Sequence, residues 1–77
     1  MYTIKFRNTN NENSDKDSWD VFSATRYKVE SEFNENGKLD QWVEVKDELG
    51  SWDTVYIEDG VIVYFENEAG RTVQVIS

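Results

Sequence analysis

Glu44 and Asp53 are the carboxylates on which any chemistry would have to start. Two acids held side by side raise one another's pKa, so that one can donate a proton while the other accepts one. The rest of the chain gives such a pair little help. It has no cysteine and no histidine, which removes thiolate nucleophiles, ordinary zinc sites and the commonest general base. Serine and threonine then lack an imidazole to activate them, and 77 residues leave little room for a deep pocket. The expectation is a protein without catalytic residues, and no cofactor is implied.

A second spacing bears on metal chemistry. Asn11, Asn13, Asp15 and Asp17 alternate as in the first half of a calcium loop. A loop started at Asn13 would, however, put Ser18 where glycine is needed and Ala24 where the bidentate glutamate belongs. The stretch reads as a polar loop, and no metal site is expected.

What remains is charge and apolar surface. Sixteen acids against eight bases give a net charge of -8, which repels nucleic acid and anionic membrane over most of the surface and also keeps a sheet-rich protein soluble. Neither direct nucleic-acid binding nor membrane binding is expected. The longest apolar run, Val61 to Phe65, is far shorter than a membrane span, and Lys5 and Arg7 stand where a signal peptide needs apolar residues. The chain is therefore expected to be cytoplasmic.

The elements that position these residues follow from alternation. Residues 1–77 fit one small domain. Tyr2, Ile4 and Phe6 alternate with Thr3, Lys5 and Arg7, the pattern of a half-buried strand, and a flexible polar loop is expected over residues 8–18. From Trp19 to Phe33 the alternation fits one long strand, with Trp19, Val21, Tyr27, Val29 and Phe33 on one face. Ser14 and Asp17 could instead form a capping box, which keeps open a short helix near 15–24.

Each turn then sets a register, because a slip of one residue inverts both faces. A three-residue loop at Glu35-Asn36-Gly37 pairs Phe33 with Leu39, Val29 with Val43 and Tyr27 with Val45. A four-residue connection at Asp47 to Gly50 sets Val45 opposite Trp52 and Trp42 opposite Val55. Asp59-Gly60, read as a two-residue hairpin turn, pairs Val55 with Tyr64 and Ile57 with Ile62. A three-residue loop at Glu68-Ala69-Gly70 sets Phe65 opposite Val73 and Ile62 opposite Ile76. The expected fold is all-β: a small antiparallel meander of five to six strands, forming an open twisted sheet or a partly closed barrel.

In that register one face is an ordinary core of Tyr27, Val29, Val43, Val45, Trp52, Tyr56, Val63, Phe65, Val73 and Val75. The opposite face gathers Trp42, Val55, Ile57, Ile62, Tyr64 and Ile76 into an apolar patch, bordered by Glu30, Glu32, Asp40, Glu44, Asp53 and Glu66. In this register Glu44, Asp53 and Glu66 fall opposite one another in a row across neighbouring strands, with Lys28 opposite Glu44 at one end. Like charges so placed destabilise a sheet by a few tenths to about 1 kcal/mol per pair, so the acidic border points to a basic partner.

In small size, strong acidity and the absence of Cys, His and Pro, the chain is similar to small accessory proteins of phages and mobile elements. Some of those inhibit host nucleic-acid enzymes by mimicking DNA. The resemblance is one of composition and rests on no motif. It implies a non-catalytic inhibitor, in the host cytoplasm if phage-encoded, that blocks a basic nucleic-acid-binding protein by protein–protein contact. The alternative is self-association, as a homodimer or larger assembly, through the Trp42 and Tyr64 face.

Overall fold

The computed structural model describes residues 1–9 and 18–77, and places seven strands there: β1 (Tyr2–Asn8), β2 (Ser18–Ala24), β3 (Arg26–Phe33), β4 (Leu39–Lys46), β5 (Trp52–Ile57), β6 (Val61–Glu66) and β7 (Thr72–Ile76). All pairings are antiparallel. They form a four-stranded sheet ordered β2-β1-β6-β7 and a three-stranded sheet ordered β3-β4-β5. The fold is all-β, as the alternation implies, but it is two open sheets face to face and neither a single meander nor a barrel.

The long strand expected from Trp19 to Phe33 breaks at Thr25. Inward residues are even-numbered before the break (Phe22, Ala24) and odd-numbered after it (Tyr27, Val29), a change of phase that one continuous strand cannot make. Thr25 fixes the corner by donating its N–H to the Lys46 carbonyl at 2.8 Å and its hydroxyl to the same oxygen at 3.2 Å. The short helix considered near 15–24 is strand over Ser18–Ala24; residues 10–17, with most of the expected polar loop and the calcium-like spacing, lie outside the described residues.

Three hairpins close on one recurrent turn. In "NENGK", "DELGS" and "NEAGR", Asn34, Asp47 and Asn67 each donate a backbone N–H to the carbonyl four positions on and accept at their own carbonyl from the glycine three positions on. Their side-chain oxygens also accept N–H bonds from the residues two and four positions later, at 2.9–3.0 Å. Each turn ends on a glycine in the left-handed region, as at Gly37 with φ 75°, where a Cβ would be strained.

The first turn gives the expected register, with Phe33 opposite Leu39 and Tyr27 opposite Val45. The second loop is also three residues long, not four, so Val43 faces Val55 and Trp42 faces Tyr56. That single slip turns β5 over. Asp59-Gly60 is not a hairpin turn either. Val61 donates to the Glu58 carbonyl at 3.2 Å with φ positive at Gly60 alone, whereas the mirror-image turn that suits strand twist needs positive φ at Asp59. The strands splay, and β6 joins β1 in the other sheet. In the third hairpin the turn holds as expected, but a bulge between Phe65 and Glu66 shifts β7, placing Gln74 opposite Phe65 and Val75 opposite Tyr64.

The core between the sheets is Ile4, Phe6, Ala24, Val43, Val45, Val63 and Phe65, with Tyr27, Val29, Val55, Ile57 and Ile76 packed against it. Trp19, Trp52, Tyr56, Val73 and Val75, all expected inside, are exposed. Among the described residues no buried polar side-chain atom lacks a partner.

Candidate functional site

A sandwich of two sheets has two outer faces, and the one on β3-β4-β5 carries the concentration of aromatic and charged side chains. Because β4 is the central strand and Val43 and Val45 point inward, Trp42, Glu44 and Lys46 must point out. Pairing then fixes rows across the three strands. Arg26, Lys46 and Trp52 form one row, Lys28, Glu44 and Thr54 the next, and Glu30, Trp42 and Tyr56 the third. Glu32 and Asp40 close the face.

The aromatics on this face are held, not loose. The Trp42 and Tyr56 rings lie 5.9 Å apart at a tilt of 50°. At the opposite end the Lys28 and Lys46 ammonium groups stand 4.8 and 5.9 Å from the Trp52 ring, within the reach of a cation–π attraction. Tyr56 nevertheless keeps 65% of its surface exposed. A large ring in that condition offers contact area at little entropic cost.

Charge on the face is segregated. Arg26, Lys28 and Lys46 surround Trp52, whereas Glu30, Glu32 and Asp40 surround Trp42 and Tyr56. Glu32 and Asp40 are direct cross-strand neighbours of like sign, and among the described residues neither Glu30 nor Glu32 has a cation within ion-pair distance. Asp40 has the Asn34 amide at 3.5 Å, and the Lys38 ammonium also attracts it, without an ion-pair contact. Close by, Lys38 pairs with Asp59 at 2.7 Å, a hydrogen bond that raises the lysine above its ordinary pKa. Between this hairpin end and Tyr56 runs a shallow polar cleft lined by Lys38, Asp40, Gln41, Ile57 and Glu58.

The residues expected to form one patch are divided among three places. Trp42 is on this face with Glu30, Glu32, Asp40 and Glu44. Val55, Ile57 and Ile76 pack against the core. Ile62, Tyr64 and Glu66 are on the outer face of the other sheet, where Tyr64 lies 5.7 Å from Trp19 and Glu66 pairs with Lys5 at 3.0 Å. The expected acidic row therefore does not form: Glu44 sits opposite Thr54, and Asp53 opposite Val45. The same one-residue change separates the pair considered for acid–base work, since Glu44 and Asp53 point to opposite faces of their sheet.

Lys28 stands opposite Glu44 as expected, and Tyr56, Trp52, Arg26 and Lys46 are the members of the face that the sequence reading missed. Their signal was present in the turns: the likeness of "DELGS" to "NENGK" gives the three-residue loop that brings Tyr56 beside Trp42. Among the described residues no group of His, Cys, Asp and Glu could hold a metal ion, and no helix is long and apolar enough to cross a membrane. Comparison with protein-family models, curated proteins and solved structures finds no match, so the functional reading rests on the geometry of this face.

Proposed function

We propose that the protein is a non-catalytic binding protein that uses the acidic half of the β3-β4-β5 outer face to engage a basic protein. The observation that carries this reading is the cross-strand Glu32–Asp40 pair, only partly offset by Lys38, beside the Trp42 and Tyr56 rings. Cross-strand acids repel one another in the free protein, and a basic partner relieves that repulsion while the rings supply desolvated contact area. Acids at alternate positions of one strand, Glu30 and Glu32, repeat every ~6.8 Å, close to the separation of successive phosphates along a nucleic-acid strand. The specific reading is thus a mimic of nucleic acid that blocks a nucleic-acid-binding protein.

The test passes a cell extract, limited to proteins that bind a phosphate-bearing resin, over the immobilised wild type, the Trp42→Ala variant and the Glu30→Lys/Glu32→Lys variant. Protein retained by the wild type, released by duplex DNA and lost at least ~30-fold with either variant supports the reading, as a loss of about 2 kcal/mol at a central aromatic anchor implies. Retention that is equal on all three columns, or that duplex DNA does not displace, overturns it. Circular dichroism of each variant separates lost binding from lost folding.

A further inference from the structure

The outer residues of β3 read Arg26, Lys28, Glu30, Glu32: two cations followed by two anions. Such an order is its own complement when reversed. Two copies can meet face to face only by rotation about an axis lying in the plane between them. If that axis also runs across the strands, between the Lys28 and Glu30 rows, each β3 lies antiparallel over the other. Arg26 then meets Glu32 of the second copy, and Lys28 meets its Glu30. The neighbouring strand follows the same rule, since Lys46 and Asp40 occupy the rows of Arg26 and Glu32. Each pairing occurs twice. The middle rows bring Tyr56 over Thr54 and Trp42 over Glu44, an acceptor for the indole N–H.

We infer that this face pairs with a second copy of the chain in a two-fold, antiparallel dimer held by the Arg26–Glu32, Lys28–Glu30 and Lys46–Asp40 contacts. The inference rests on reading the face as a contact surface, and it adds that the site covers itself when no partner is present. Aligned packing of twisted sheets leaves strands within about 30° of one another, which keeps these rows in reach. Seven residues at ~3.4 Å and three strands at ~4.8 Å define a footprint of roughly 350 Å² per copy. That is under half of the ~800 Å² per partner found in stable complexes. The dimer is accordingly weak and concentration-dependent, and it yields to a basic partner that binds the acidic half more tightly.

Sedimentation equilibrium across concentration tests this with the full chain and two double variants, Arg26→Glu/Lys28→Glu and Glu30→Lys/Glu32→Lys. The wild type is expected to show a reversible monomer–dimer equilibrium. Each double variant alone should weaken it about 30-fold or more, because four attractions become repulsions, while an equimolar mixture of the two should form a heterodimer. Net charge alone predicts a different pattern: Glu30→Lys/Glu32→Lys moves the chain toward neutrality from -8, and so should dimerise better than the wild type. Exchanging one pair within a chain, Arg26→Glu/Glu32→Arg, keeps the complementarity and should leave the dimer intact, which covers the case in which a double variant fails to fold. A wild type that stays monomeric at millimolar concentration, double variants that dimerise as the wild type does, or an exchange variant that is folded but monomeric would each overturn the inference. Those outcomes leave the basic-partner reading standing, since Arg26→Glu/Lys28→Glu should bind a basic protein at least as well as the wild type.

Discussion

Tyr27 joins the two sheets through one side chain. It belongs to β3, yet its ring stacks on Phe65 at 4.4 Å and meets the edge of Tyr2 at 5.0 Å, and its hydroxyl donates to the Gln74 side-chain oxygen at 3.1 Å. Partial burial raises the phenol above its ordinary pKa of 10.0, with a smaller contribution from Tyr2. As the pH rises through 10.0, the unfolded chain sheds this proton before the folded one does, so stability is complete below that value and falls above it. Replacing Tyr27 by Phe keeps the ring and removes both the hydrogen bond and the titration. At neutral pH it is expected to cost about 1 kcal/mol in urea denaturation. Its stability should then decline less steeply than the wild type's between pH 10 and 11; parallel declines would show that the phenol contributes nothing to the alkaline loss.

At the scale of elements, the recurrent turn sets which face each strand presents, and Asp47 is the place to test it. Its Oδ1 accepts from the Leu49 and Ser51 N–H groups, each at 2.9 Å, so Asp47→Ala leaves two donors to water and is expected to destabilise by about 1–2 kcal/mol. Asp47→Asn should be nearly neutral, because asparagine fills the same position at Asn34 and Asn67. Thermal melts of both variants check this, and a large loss in the Asn variant would mean that the charge, not the turn geometry, matters. The register of β3 with β4 was legible because Gly37 and the flanking apolar residues agree on one loop length. Reading Asp47 to Gly50 as four residues moved Trp52 and Tyr56 inside and Val55 and Ile57 outside, so the candidate face was only half legible. Alternation offered no protection there, because β5 carries large apolar residues on both faces. The bulge in β7 and the splayed turn at Gly60 were hidden for another reason: both depend on backbone angles that packing selects among those the sequence permits.

The whole molecule depends on a pairing that no local pattern announces. β1 begins the chain but lies inside its sheet, between β2 and β6, with Ile4 opposite Phe65 and both fully buried. Closing the stretch between Asn8 and Val61, which are paired, costs roughly 2–3 kcal/mol more in chain entropy than closing a three-residue loop. By contrast, β3, β4 and β5 are joined by such loops alone, and folding them first shortens the stretch that β1 and β6 must close. The sheet that carries the candidate face should therefore form early, and the four-stranded sheet should complete the core late. Ile4→Val, a loss of about 1 kcal/mol, is expected to act almost wholly on the unfolding rate, with a φ-value near zero. Val43→Ala, expected to cost about 2 kcal/mol in the middle of β4, should slow folding and give a φ-value of about 0.5 or more. Stopped-flow measurements in urea decide the matter: a higher φ-value at Ile4 than at Val43 would mean that the long-range pairing nucleates the fold and the acidic face is assembled last.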